Sequence, residues 1–109
     1  HMHYPKIYSR IIATLKSVFK YVNTHSTFVP IYGTSLSYGL CSDSIDFPNI
    51  DKSIMKKRFE ERNIPDLRYI DPVVFYSALV EPAYLKEIMK TDTRISTDSD
   101  PIEEVFQNE

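Results

Sequence analysis

Glycine is scarce in this 109-residue sequence: there are two, Gly33 and Gly39, with five residues between them. A nucleotide cradle needs several closely spaced glycines, so these residues build no phosphate-binding loop. The single cysteine, Cys41, excludes an internal disulfide framework and a thiolate cluster for zinc, and reads as a small buried hydrophobe. No apolar run approaches the ~20 residues that span a bilayer. No charged, then apolar, then small-residue series marks a secretion signal. Basic residues are dispersed within a formal net charge of −2, which argues against a nucleic-acid partner. His3 and His25 lack the i, i+4 spacing of a metal-binding pair, and His25 reads as a structural residue. These absences point to a soluble, cytoplasmic protein with no bound metal or cofactor and no membrane association.

Aromatic residues are plentiful, with eight tyrosines and six phenylalanines. A chain of this length buries only a modest share of its surface, so a neighbour or an oligomer is expected to help. His1 and Met2 read as a cloning scar and carry no weight for the fold. Residues 3–90 read as one α/β unit and residues 91–109 as a solvated acidic tail, whose Pro101–Phe106 piece has the composition of a helical turn.

Pro5 suits the first turn of a helix, and Ile7, Ile11, Leu15 and Val18 recur at helical spacing, which predicts a helix from Pro5 to Tyr21. Val22 to Val29 and Ser35 to Ser42 are β-prone; the second run places Leu36, Tyr38 and Leu40 on one face. Gly33 in the connection suits an unusual backbone angle. A second helix is expected from Ile50 to Asn63, with Ile54, Met55 and Phe59 on one side and Pro65 as its stop. Leu67 to Ile70 reads as extended. Asp71-Pro72 has the form of an N-cap and first helical residue, and Val73 to Val80 is apolar enough to predict burial around most of the helix. Pro82 opens a last short helix reaching Lys90.

No compact catalytic signature is present. Ser35 and Ser37 lack the Gly-x-Ser-x-Gly surroundings of an activated nucleophile, and the basic and acidic runs of residues 56–62 suit a solvated helix face. The segment Val29-Pro30-Ile31-Tyr32-Gly33-Thr34-Ser35-Leu36-Ser37-Tyr38-Gly39-Leu40-Cys41-Ser42 is different in kind. It resembles the polyamine aminopropyltransferases, the spermidine synthase family, in which a Val/Ile-Pro-Thr-Tyr loop leads into a strand closing on Ala/Cys-Ser. Pro30, Tyr32, Leu40, Cys41 and Ser42 fit that pattern directly. Leu67-Arg68-Tyr69, followed by Val74, Ala78, Val80 and Pro82, is similar to a second family stretch in the right order. Leu15-Lys16-Ser17-Val18-Phe19 resembles the helix that precedes the paired strands.

The resemblance implies the C-terminal portion of a Rossmann-like, methyltransferase-type sheet: two terminal strands with about four helices. In that family decarboxylated S-adenosylmethionine donates an aminopropyl group to a diamine such as putrescine, and methylthioadenosine is released. By this likeness Tyr32, Pro30 and Leu36 would form part of the wall of the amine pocket. Tyr32 would accept a hydrogen bond from an ammonium, Pro30 would fix the loop, and Leu36 would line the pocket. The bland alternative is that Tyr32 and Tyr38 are amphipathic residues of a half-buried sheet. The family's catalytic Asp and nucleoside loop have no counterpart here, so no catalytic residue is assigned and the chain is expected to be inactive alone. Ile31 replaces the family Thr, Gly33-Thr34-Ser35 its Pro-Ser-Gly turn, and Phe75-Tyr76 its His-Arg pair. The amine therefore stays open between putrescine, agmatine, another amine or none, and a non-catalytic binding or oligomerisation module is the competing expectation. An unpaired sheet edge predicts a homo-oligomer.

Overall fold

Each helix begins where the sequence supplies a start. The computed structural model describes residues 4–102. Helix α1 runs Pro5–Val18, with proline in the first turn, where its missing N–H costs nothing. It stops at Val18 and not at Tyr21, because Phe19 turns extended (φ −106°, ψ 144°). Tyr21 opens strand β1, Tyr21–Val29, and pairs with Ser42; ladder pairing has overridden helical periodicity there. Tyr8 and Ile12 are the buried residues of the apolar stripe, and Ile11 and Val18 face outward.

Strand β2, Thr34–Ser42, returns antiparallel to β1, in register from Tyr21↔Ser42 to Val29↔Thr34. Side chains alternate across this two-stranded sheet. One face carries Val22, Thr24 and Ser26 beside Cys41, Gly39 and Ser37, and α1 lies over it. A methyl group at Gly39 would sit 2.7 Å from Leu15 Cδ1, so the leucine side chain would have to shift to admit it. Hydroxyls replace apolar packing nearby. Tyr8 Oη lies 2.8 Å from Ser37 Oγ, Ser26 Oγ donates to Ser37 Oγ at 3.0 Å, and Thr24 Oγ1 donates to Glu81 Oε1 at 3.1 Å.

The opposite face meets later helices. Asp51 caps α2, Lys52–Arg62, by accepting from the Ser53 N–H at 2.8 Å. The helix ends at Asn63 in the left-handed region (φ 40°), two positions before the expected stop at Pro65. Met55 and Phe59 are half-buried, whereas Ile54 is exposed. The expected extended segment from Leu67 to Ile70 is instead a turn and a bend, entered through Asp66 at φ 63°.

Asp71 accepts from the Val74 N–H at 2.8 Å and Pro72 starts α3, Pro72–Ala78, as expected. Its predicted burial does not hold: no residue of α3 is buried and Val73 is 75% exposed. The helix packs against β1 and α2. Phe75 packs on His25 (ring centroids 5.4 Å apart), and Asn23 Nδ2 donates to the Leu79 carbonyl. Helix α4, Ala83–Ile88, follows Pro82 and places Leu85, fully buried, against Tyr8 and Ile12.

Beyond Lys90 the chain runs back along α1, and most of residues 91–102 are exposed. Ser9 Oγ lies 2.8 Å from the carbonyl oxygens of both Met89 and Asp92, and Thr14 Oγ1 accepts from the Ser96 N–H. Arg10, with its side chain 7% exposed, donates to the Asp100 and Pro101 carbonyls. Pro101 and Ile102 are not helical, and the rest of the expected helical turn, Glu103–Phe106, lies outside the described residues. The architecture is α/β, a two-stranded antiparallel sheet with four helices. Among the described residues no helix is long and apolar enough to cross a membrane. Nor could any group of three or more His, Cys, Asp or Glu among them hold a metal ion.

Candidate functional site

Residues 29–36 make the tip of the hairpin. Val29 leaves β1 extended, Pro30 starts a single 3₁₀ turn through Tyr32, and Gly33 closes it by donating its N–H to the Pro30 carbonyl at 3.1 Å. Gly33 has φ 64°, ψ 22°, and no atom lies within 4 Å of where a Cβ would be. Glycine is required there by backbone angle and not by space. The ring of Pro30 fixes φ at the turn entrance.

The turn pushes its side chains outward. Tyr32 is 66% exposed and Ile31 86%. Leu36 sits two residues into β2, opposite Thr27, and is half-buried. Pro30, Tyr32 and Leu36 therefore share the distal end of one hairpin. Tyr38, on the same sheet face as Leu36, is exposed as well.

A concavity lies elsewhere. A cavity of about 460 Å³ is lined by Lys52 and Lys56 of α2 and by Asp71, Pro72, Val73 and Tyr76 at the start of α3. The Tyr76 hydroxyl donates to the Ile50 carbonyl at 2.6 Å, tying α3 to the segment just before α2, and the Lys52 ammonium lies 5.9 Å from the Tyr76 ring centroid. Sequence reasoning passed over this groove. Its only signal was the i, i+4 spacing of Lys52 and Lys56 on a helix read as solvated. A smaller cavity of about 140 Å³ lies between Lys20–Asn23 and Asp46–Pro48. His25 Nε2 is buried with no hydrogen-bond partner, facing Phe75.

Known proteins resemble this sequence. No family model matches the chain. A polyamine aminopropyltransferase of Korarchaeum cryptofilum is 29% identical over 96 residues, 88% of this chain and 30% of that protein. This chain resembles polyamine aminopropyltransferases. Such an enzyme of Sulfurisphaera tokodaii is 27% identical over 95 residues, 87% of this chain and 32% of its own length. Thermospermine synthase ACAULIS5 of Arabidopsis thaliana is 27% identical over 90 residues, 83% of this chain and 26% of its own. The chain thus spans about 30% of the length of the curated polyamine aminopropyltransferases it matches. Pro30, Tyr32 and the Leu40-Cys41-Ser42 close, the residues that first suggested polyamine aminopropyltransferases, all fall on the hairpin.

Proposed function

We propose that this chain is the C-terminal part of a spermidine synthase-like aminopropyltransferase and supplies one wall of its amine pocket. The supporting observation is similarity over more than four-fifths of the chain to several proteins named polyamine aminopropyltransferase. In this reading the hairpin belongs to a larger Rossmann-like sheet of the methyltransferase type, acting in the cytoplasm. Decarboxylated S-adenosylmethionine would be the co-substrate and a diamine such as putrescine or agmatine the acceptor.

The reaction is a displacement. The lone pair of an uncharged amine attacks the methylene carbon bonded to sulfonium, the C–S bond breaks with its electrons passing to sulfur, and the ammonium proton passes to a base. Positioning and deprotonation carry that chemistry. Tyr32, projecting from the 3₁₀ turn, offers a phenol oxygen that accepts from the amine's ammonium end while its ring covers methylenes. Pro30 presets the turn and Leu36 provides apolar wall. The catalytic carboxylate and the nucleoside-binding loop are assigned to sequence outside these residues, and no group in the chain is given a catalytic role.

A second reading, a non-catalytic homologue acting as a binding or oligomerisation module, is favoured by one observation. Phe75, where the resemblance expects the first of a polar pair, is packed against His25 and offers a substrate nothing to bond. Isothermal titration separates the two. Methylthioadenosine and putrescine or agmatine are titrated into this chain and into a longer polypeptide that contains it and has the relatives' length. Binding and turnover by the longer polypeptide alone support the first reading; no binding by either supports the second.

A further inference from the structure

Residues 30–33 join the last ladder pair of the hairpin, Val29↔Thr34. Pro30, Ile31 and Tyr32 coil with a right hand, and a chain that kept that hand would carry Thr34 away from Val29. Gly33 reverses it at φ 64°, ψ 22°, while its N–H donates to the Pro30 carbonyl at 3.1 Å. A right-handed turn closed by one left-handed residue is how a short loop returns to the partner strand. These constraints lie within the turn itself, so they hold equally when the hairpin belongs to a larger sheet.

The same constraints govern Tyr32. Its carbonyl and the Gly33 nitrogen share one planar peptide unit, so the bond from Gly33 to Pro30 fixes that plane. The Pro30 ring fixes the backbone two residues earlier. Between these two anchors, the direction in which the Tyr32 side chain leaves the backbone is set before any substrate arrives. We propose that Gly33 is a positioning residue for the acceptor amine: by closing the turn directly behind Tyr32, it places the phenol oxygen to accept from the amine's ammonium end. The inference rests on the amine-pocket reading above and deepens it. In the family this sequence resembles, proline follows the tyrosine and glycine comes two positions later. Here Ser35 holds that later position, paired with Phe28 in the ladder, and the reversal falls on Gly33 instead. Orientation of the pocket therefore depends on a residue that has no side chain with which to touch substrate.

The test is a mutant series in a longer polypeptide that contains this chain and has the relatives' length, with KM measured separately for putrescine and for decarboxylated S-adenosylmethionine. Gly33→Pro removes the N–H and holds φ at about −65°, so the turn must open. It should raise the putrescine KM roughly tenfold or more, as loss of a hydrogen bond to a charged group would, and leave the other KM within about twofold. Gly33→Asn keeps the N–H and takes the left-handed region, so it should restore the putrescine KM to within about threefold of the parent. In a Tyr32→Phe background Gly33→Pro should add less than about twofold, because the hydroxyl it positions is already gone. A glycine needed only for folding would lower the melting temperature without this split between substrates or this dependence on the hydroxyl. If Tyr32→Phe raises the putrescine KM but Gly33→Pro does not, or if Gly33→Pro acts equally in both backgrounds, the positioning role is overturned and the amine pocket stands. If the longer polypeptide transfers no aminopropyl group, or Tyr32→Phe matches the parent, the pocket reading falls and this inference with it. Should Gly33→Pro not fold, Gly33→Val, whose branched side chain resists positive φ, is read by the same criteria.

Discussion

Arg10, on the first helix, reaches a residue 90 positions further along the chain: its Nη2 donates to the Asp100 carbonyl at 2.6 Å and pairs with the Asp100 carboxylate at 2.7 Å. The guanidinium is buried while the Asp100 side chain is more than half exposed. The carbonyl bonds, inside, carry more than the ion pair, outside. Arg10→Ala is expected to cost about 2–4 kcal/mol, since it removes a buried guanidinium and the bonds it donates to the Asp100 and Pro101 carbonyls. Asp100→Asn should cost under about 1 kcal/mol. Urea denaturation of the two variants measures both, and limited proteolysis should cut Arg10→Ala first between residues 93 and 100.

The two glycines should respond differently to alanine. Gly33→Ala meets no neighbour but must hold φ 64°, costing about 1–2 kcal/mol, with no rescue from any second change. Gly39→Ala drives a methyl group to 2.7 Å from Leu15 Cδ1, an overpacking cost of about 1–3 kcal/mol. Leu15→Ala removes the obstacle, so the Gly39→Ala, Leu15→Ala double variant should lose less than the sum of its parts. A thermal denaturation cycle reads that coupling directly.

Acid and base limbs of stability have separate origins. Asp92 accepts from the Arg94 side chain and N–H, which holds its carboxyl down at about 2 from an ordinary 3.8. A depressed folded value means that its contribution is present above about pH 4 and disappears as pH falls toward 2. Asp92→Asn should flatten that part of the melting-temperature profile. Burial raises the Tyr8 phenol above its usual 10, the Ser37 hydrogen bond opposing it only in part. Its contribution is complete below pH 10 and is lost as pH climbs through the raised value. Tyr8→Phe should remove this alkaline loss while weakening the fold at neutral pH.

If Tyr32 binds the amine, its hydroxyl acts on substrate and not on folding, because it projects from an exposed turn. Tyr32→Phe in a longer, active polypeptide should raise KM for the diamine roughly tenfold or more, the worth of a hydrogen bond to a charged group. The melting temperature should stay within about a degree or two. Equal KM values for variant and parent would remove Tyr32 from the amine pocket.

The hairpin was the most legible part of the sequence, since proline, a β-branched run and a glycine each act within a few residues of themselves. Pro5, Asp71-Pro72 and Gly33 announced their local geometry for the same reason. Partners distant in sequence were invisible. Nothing near Arg10 indicates that it reaches Asp100, and nothing in Val73 to Val80 says that no residue of α3 is buried. Apolarity reported what that helix would bury against a fuller surrounding and not what it does bury here. Of the candidate site, Pro30 and Tyr32 were recognisable as a turn, but the groove between α2 and α3 depends on how two helices dock.

The hydroxyl contacts between α1 and the sheet have a mechanical consequence. Apolar surfaces can slide with little loss at each step, but Tyr8 to Ser37 is a single directional bond beside a notch, at Gly39, that the Leu15 side chain occupies. Displacing the helix by one turn, about 5.4 Å, would break the bond and lift the leucine out of its notch together. The first helix should therefore behave as a bolt, seated or withdrawn, and its release should appear as one cooperative opening in hydrogen exchange.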